Sequence, residues 1–182
     1  REWFGIARTA TRGPVLFTPG TGRGFKHPNI QMWSEIEFPD WICVWVKKNS
    51  VGHSSLGGFN AWEPIFVYGK PQKKIGQDIY DIPLRVQQDV ADESGEKLHP
   101  CPKQVLLWQE IIEQWTDNGC EIFEPFGGSG TAIIASEKSG RSCFAMEIDP
   151  RYCDVIVARW EKYTGKQAEL VTREQVTEEA TA

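Results

Sequence analysis

The chain has 182 residues, of which 40% are apolar and 25% are charged, as in an ordinary soluble globular protein. This length is enough to bury a hydrophobic core and predicts one domain with room for a small appendage. The composition excludes wholesale disorder, a collagen-like repeat and a coiled coil, and no run reaches the ~18 consecutive apolar residues that a membrane-spanning helix needs.

The net charge of −5 is unevenly distributed along the chain. Residues 1–74 contain ten Lys and Arg against five Asp and Glu, whereas residues 75–182 contain ten against twenty. A basic half beside an acidic half is compatible with one face that meets a polyanion, and an ordinary solvated surface explains the same balance equally well.

The five cysteines are spread along the chain without a CxxC pair. This pattern indicates reduced thiols, and it favours neither a disulfide framework nor a zinc site. No signal peptide is visible either. We therefore expect a cytoplasmic protein without a metal centre.

The first forty residues are rich in Gly, Pro, Thr and Arg, which predicts a loop-rich N-terminal segment over 1–40. Gly20, Gly22 and Gly24 form a GxGxG pattern. No clear strand leads into this pattern, and it lacks the lysine of a phosphate-binding loop, so we interpret it as an ordinary loop.

Two short apolar runs predict buried strands. Residues 41–46 and 64–68 are rich in β-branched and aromatic side chains, and the runs end at Lys47 and Gly69. The loop between them, residues 50–60, is rich in Gly and Ser. The two strands form either a hairpin or a pair bridged by a functional loop.

From residue 102 onwards, the pattern predicts alternating helices and strands. In chain order these are a helix at 105–115, a strand at 120–126, a glycine turn at 127–130, a helix at 131–138, a strand at 142–148 and a helix from Pro150 to Gly165. Such alternation indicates a parallel α/β sheet.

The domain organisation follows from these elements. Residues 41–172 are predicted to form the main domain, interrupted by a polar, aperiodic linker at about 71–98. Residues 173–182 are rich in Glu and Thr and are expected to fray.

The glycine turn is the first candidate for a binding site. Gly127-Gly128-Ser129-Gly130 lies between a predicted strand and a predicted helix, where ligands bind in open α/β sheets. Glycines allow close backbone approach, and the start of a helix offers N–H groups to an anion such as a carboxylate. The turn matches neither GxGxxG nor GK[ST], which argues against dinucleotides and triphosphates as the ligand.

Acidic side chains follow the next strand. Glu147 is well placed to accept hydrogen bonds from the two hydroxyls of a ribose, as at the analogous position of dinucleotide-binding folds. Asp149 precedes Pro150 and is more typical of a helix N-cap than of a ligand. A ribose and a carboxylate without a pyrophosphate indicate S-adenosylmethionine as the ligand.

Three segments, in this order and spacing, resemble motifs of the DNA methyltransferases that methylate amino groups. Residues 123–131 resemble their cofactor-binding motif, and residues 146–152 resemble the acidic motif that follows it. Residues 99–103, HPCPK, are similar to their HPxxKP motif, which lies just upstream of the glycine turn only in the permuted, β-class members. Gln104 stands where the family usually has proline. The resemblance covers roughly residues 40–170. It implies an α/β, Rossmann-like S-adenosylmethionine-dependent methyltransferase fold with an incomplete, mostly parallel sheet and flanking helices.

The resemblance also assigns roles around the glycine turn. Gly127, Gly128 and Ser129 would pack on the methionyl part of the cofactor. Phe126 would lie beside the cofactor, and Glu124 would face its amino group.

Further cofactor contacts are implied on both sides of the turn. Glu147 would hold the ribose, and Asp149 is a weaker candidate beside it. His99 and Lys103 would lie near the carboxylate, although a satisfied histidine and a solvated lysine explain these two residues equally well.

The implied reaction is transfer of a methyl group from S-adenosylmethionine to an exocyclic amine of double-stranded DNA, with the target base flipped out of the helix. Adenine N6 is favoured over cytosine N4 as the acceptor. The sulfonium is already an activated leaving group, so no covalent enzyme intermediate is expected and no cysteine is a candidate nucleophile.

The catalytic (D/N/S)PP(Y/F/W) tetrapeptide of this family does not occur in the sequence. In the permuted order it precedes every segment described above, and the chain begins with Arg1 while its first methionine is Met32. We expect a C-terminal portion of a methyltransferase that is inactive by itself and needs a missing N-terminal portion. The alternatives are a cofactor-binding subunit whose partner chain supplies the tetrapeptide, a small-molecule methyltransferase, and a structural α/β domain.

Overall fold

The computed structural model describes residues 2–20, 35–50, 57–71, 73–84 and 103–171. Four helices and six strands lie in these ranges. They are α1 (Glu2–Ala10), β1 (Val15–Phe17), β2 (Trp41–Val46), β3 (Trp62–Tyr68), β4 (Ile79–Asp81), α2 (Val105–Trp115), β5 (Glu121–Glu124), α3 (Thr131–Lys138), β6 (Ser142–Ala145) and α4 (Pro150–Thr164).

The strands form two sheets. The first has the order β1-β3-β2-β4, with β3 antiparallel to both of its neighbours and β4 parallel to β2. The second is the parallel pair of β5 and β6, in which Phe123 lies opposite Phe144. The two predicted apolar runs lie in β2 and β3, which pair antiparallel with Cys43 opposite Ile65. Residues 51–56 of the loop between them lie outside the described residues.

The sheets agree with the predicted α/β class and incomplete sheet, but the parallel pairing is less extensive than expected. Parallel pairing holds between β5 and β6 and between β2 and β4, while both pairings of β3 are antiparallel. The connection from β2 to β3 runs over residues 47–61, and β3 returns antiparallel to β2.

The main core lies between the first sheet and α2. The apolar residues of α2 recur at helical spacing, so Leu107, Ile111 and Trp115 share one face and are buried against the sheet. Trp45 is buried beneath them, and its indole N–H donates to the carbonyl oxygen of Ile82 at 2.7 Å. Burial of each such side chain contributes about 1.5–3 kcal/mol.

Helix α1 and strand β1 correct the loop prediction for residues 1–40. Phe4 of α1 is buried with Phe66 and Tyr68, and the Phe4 and Tyr68 ring centroids lie 4.8 Å apart. These apolar contacts stabilise a helix in a segment whose Gly, Thr and Arg content had indicated a loop. Gly22 and Gly24 lie outside the described residues.

The remaining predictions of organisation have mixed outcomes. Strand β4 lies within the predicted linker, because Tyr80 is buried in the core and pairs with Trp45. Residues 85–98 and the predicted tail at 173–182 lie outside the described residues, and the domain boundaries stay predictions. None of the described helices is long and apolar enough to cross a membrane.

Candidate functional site

The glycine turn joins β5 to α3 through left-handed backbone at two positions. Gly128 has φ of +53° and Gly130 has φ of +77°, a region that side-chain-bearing residues rarely adopt. Gly127 is required by close packing: a Cβ there would lie 3.0 Å from Ile156 Cδ1 and 3.2 Å from the Met146 carbonyl oxygen. The turn is therefore seated directly against the end of β6 and α4.

A buried arginine that sequence reasoning missed supports the turn. Arg159 of α4 is buried, and its guanidinium donates to the carbonyl oxygen of Ser129 at 2.8 Å. Arg159 lies in α4, whose sequence shows only the helical spacing of its apolar residues. Nothing in the residues around Arg159 indicates that its side chain contacts the glycine turn. The predicted cofactor residue Ser129 is itself buried.

Glu147 lies next to the turn. Its Oε2 atom accepts a hydrogen bond from the N–H of Gly128 at 2.7 Å, and its Oε1 atom accepts from the N–H groups of Ile148 and Asp149 at 2.8 and 2.9 Å. These backbone donors, that of Asp149 foremost, lower the pKa of the Glu147 carboxyl below its ordinary value of 4.5. Glu147 is thus an anion within hydrogen-bond distance of the turn.

Asp149 occupies the N-cap of α4. Its carboxylate accepts from the N–H of Arg151 at 3.0 Å and pairs with the guanidinium of Arg151 at 2.7 Å. Pro150 occupies the first turn of the helix. Helix capping therefore explains why an aspartate and a proline occur here. The sequence likewise favoured a capping role for Asp149 over a ligand-binding role.

A cleft of about 910 Å³ opens between β1 and the glycine turn. Its lining includes Trp3, Lys103, Glu124, Phe126, Gly128 and Ser129. Phe126 is 56% exposed, and its ring lies edge-on to Trp3 with the ring centroids 4.9 Å apart. Trp3 was not foreseen, because α1 was predicted as a loop.

Glu124 is a desolvated carboxylate in this cleft. Burial raises the pKa of its carboxyl above 4.5, and a hydrogen bond from the N–H of Phe126 at 2.9 Å offsets this only in part. Within the described parts of the chain, no Lys, Arg or His forms an ion pair with it. A half-buried carboxylate of this kind is costly unless a cation approaches, and the ammonium of an amino-acid ligand has the required charge.

Lys103 lies on the same cleft wall. Its backbone carbonyl accepts from the Thr131 hydroxyl at 3.4 Å, and its ammonium group bonds to the carboxylate of Glu63. The other predicted residue of this motif, His99, lies outside the described residues. Lys103, Glu124, Phe126, Gly127, Gly128 and Ser129 therefore line one cleft, and Glu147 joins them through Gly128.

The described cysteines are free thiols. Burial raises the pKa of Cys43 and of Cys143 to about 11, so both are protonated at neutral pH and are poor nucleophiles. Among the described residues, no three His, Cys, Asp or Glu side chains are grouped as metal ligands would be.

The DNA methylase family (N6_N4_Mtase) matches residues 3–158 of the chain. The chain belongs to the DNA methylase family. A relative of this chain, the orphan methyltransferase M.BamHII of Bacillus amyloliquefaciens, is 30% identical over 86 residues, which are 47% of this chain and 32% of that protein. The chain spans between 26% and 40% of the length of the curated relatives that it matches.

Solved structures of DNA methyltransferases resemble this chain in fold. The PvuII DNA methyltransferase (cytosine-N4-specific) superimposes with a TM-score of 0.67 at 17% identity, over 97% of this chain and 74% of that chain. The M1.HpyAVI–SAM complex superimposes with a TM-score of 0.63 at 20% identity, over 87% of this chain and 80% of that one. The predicted Rossmann-like methyltransferase fold is confirmed.

Proposed function

We propose that this DNA methylase binds S-adenosylmethionine in the cleft beside the glycine turn and serves methyl transfer to an exocyclic amine of DNA. The observation that carries the proposal is the arrangement of two carboxylates around one turn. Glu124 lies half-buried in the cleft wall, and Glu147 accepts a hydrogen bond from the N–H of Gly128 at 2.7 Å.

These residues fit the chemistry of the cofactor. Glu124 would receive the ammonium group of the cofactor, and Lys103 would receive its carboxylate. Glu147 would accept hydrogen bonds from the ribose hydroxyls. These hydroxyl bonds would replace bonds that Glu147 now accepts from backbone N–H groups. Phe126 and Ser129 would exclude water around the methionyl part. When bound, the cofactor supplies a methyl group on an activated leaving group, so alignment of the acceptor amine provides much of the rate acceleration.

The acceptor is proposed to be adenine N6, with cytosine N4 as the alternative. Double-stranded DNA with a flipped target base would be the substrate. The excess of Lys and Arg in residues 1–74 supports contact between that half of the chain and the phosphate backbone.

The catalytic tetrapeptide is proposed to come from a segment outside residues 1–182, as in a permuted family member. The cleft supports this proposal by its position. β1 and β5 each lie at the edge of their sheet, and residues of both strands line the cleft between them. An added strand that carries the tetrapeptide could pair with these edges and close the cleft. A separate partner chain would meet the same requirement.

Calorimetric titration with S-adenosylhomocysteine tests cofactor binding, with NAD as the control ligand that contains a pyrophosphate. Saturable heat with S-adenosylhomocysteine and none with NAD is expected. No heat from a folded protein with S-adenosylhomocysteine contradicts the proposal.

Transfer of radiolabelled methyl to duplex DNA tests the reaction. The 182-residue chain is expected to be inactive, and the same chain joined to an upstream segment with the tetrapeptide is expected to be active. Digestion of the product to nucleosides distinguishes N6-methyladenine from N4-methylcytosine. Activity of the isolated chain would contradict the need for an added segment.

A further inference from the structure

Lys103 of the cleft forms a cluster with two charged side chains that have no role in the mechanism above, Lys47 and Glu63. Lys47 Nζ lies 2.7 Å from Glu63 Oε1, and Lys103 Nζ bonds to the second oxygen of the same carboxylate. The side chains of Lys47, Glu63 and Lys103 are 6%, 12% and 26% exposed. The buried carboxylate of Glu63 thus forms ion pairs with two ammonium groups, one at each oxygen.

The cluster lies over the ring of Trp45. Lys47 Nζ and Lys103 Nζ are 5.4 and 5.6 Å from the centroid of that ring. Burial pushes the pKa of the Glu63 carboxyl upwards, but the charges and hydrogen bonds of Lys103 and Lys47 outweigh it, and the pKa lies below 4.5. The carboxylate is therefore ionised at neutral pH, and both lysines have a fixed partner.

A cluster of this kind is an expensive way to stabilise a fold, because apolar residues of similar volume are often equally stable or better. The position of the cluster points instead to the cleft. Lys103 lines the cleft together with Gly128 and Ser129, whereas Glu63 and Lys47 do not line it. Glu63 and Lys47 therefore act on the cleft through Lys103.

We infer that Glu63 is a positioning residue that holds the ammonium group of Lys103 against the cleft wall, where it meets the carboxylate of the cofactor. Lys47 supports this arrangement by holding the other oxygen of Glu63. Since Glu63 comes from β3 and Lys103 lies two residues before the start of α2, the contact also links the first sheet to the start of that helix. The inference rests on the proposed binding of S-adenosylmethionine.

Two ligands separate a positioning role from a general structural role. S-adenosylhomocysteine contains the amino-acid carboxylate, and 5′-methylthioadenosine lacks the whole amino-acid part. Glu63→Gln is expected to weaken S-adenosylhomocysteine about tenfold or more while 5′-methylthioadenosine changes by less than about twofold. Equal weakening of both ligands would assign Glu63 a structural role and overturn the inference.

A double-mutant cycle tests whether Glu63 acts through Lys103. If it does, Glu63→Gln adds little to the loss of S-adenosylhomocysteine affinity already caused by Lys103→Met. Fully additive losses would overturn the inference. The matched control is Asp81→Asn, which removes the exposed ion pair of Asp81 with Lys48 and is expected to change neither ligand.

Glu63→Gln leaves two buried lysines beside each other, which could unfold the protein. The charge-balanced variant Glu63→Gln/Lys47→Met removes one cation with the anion and is expected to lose the same discrimination between the two ligands. Its retention of discrimination in a folded protein would overturn the inference. Failure of the unmodified protein to bind S-adenosylhomocysteine would instead overturn the proposed function.

Discussion

Glu147 accepts a hydrogen bond from the N–H of Gly128 at 2.7 Å, which ties the residue that follows β6 to the turn that follows β5. The two residues are separated by 19 positions in the sequence. Parallel pairing of β5 with β6 places the carboxyl ends of both strands at one edge of the sheet, so a backbone donor and a carboxylate meet there.

Glu147→Gln should weaken S-adenosylhomocysteine about tenfold or more, because hydrogen bonds to a charged acceptor contribute about 1.5–3 kcal/mol. Calorimetric titration measures the change, and circular dichroism checks that the variant is folded. Asp154→Asn, on an exposed position of α4, is the control and should bind normally. Unchanged affinity in Glu147→Gln would remove the ribose contact from the proposal.

Glu124→Gln should stabilise the ligand-free protein at neutral pH and weaken S-adenosylhomocysteine. The pKa of Glu124 is raised by burial, so the folded state holds this proton more tightly than the unfolded state does. Stability is consequently lost as the pH rises from 4.5 through the raised pKa, and an uncharged glutamine avoids the loss. Thermal unfolding as a function of pH measures the difference.

The control for Glu124→Gln is Glu113→Gln, at an exposed position of α2, which should leave the pH dependence of unfolding unchanged. In the unmodified protein, affinity for S-adenosylhomocysteine should fall as acid protonates Glu124, whereas 5′-methylthioadenosine has no ammonium group to lose. A parallel decline for both ligands would show that Glu124 does not receive the ammonium.

Gly127→Ala should destabilise the protein by about 1–3 kcal/mol, as overpacking does, because the added Cβ meets Ile156 and the Met146 carbonyl. Gly5→Ala is the matched glycine control. A Cβ at Gly5 meets nothing within 4 Å, and alanine in a helix favours folding by about 1 kcal/mol. Opposite shifts of the two variants in urea unfolding are expected, and a neutral Gly127→Ala would mean that the turn relaxes away from α4.

Arg159→Met should cost about 1–3 kcal/mol, because it leaves the Ser129 carbonyl without its buried donor. It should also weaken S-adenosylhomocysteine, since Ser129 belongs to the cleft. Arg151→Met removes an exposed arginine from the same helix and should change stability much less than Arg159→Met does. Similar behaviour of the two variants would refute support of the turn by Arg159.

Local chemistry in the sequence predicted the second half of the fold closely. The helical spacing from Val105 to Trp115 matches α2, and the Asp149 cap with the stop at Gly165 matches the ends of α4. These features depend on neighbouring residues only, so a single sequence displays them. Short elements were missed: β1 and β4 have three residues each, too few for a period to emerge.

The sequence by itself also located the glycine turn and the acidic residue after the next strand, because each lies at the end of a recognisable element. Only the tertiary structure decided which distant side chains meet there. Lys103 forms an ion pair with Glu63, which is 40 positions away in the sequence, and Arg159 donates to Ser129, which is 30 positions away. Periodicity reports which face of an element is apolar, whereas the pairing of buried charges depends on how elements from distant parts of the chain are packed together.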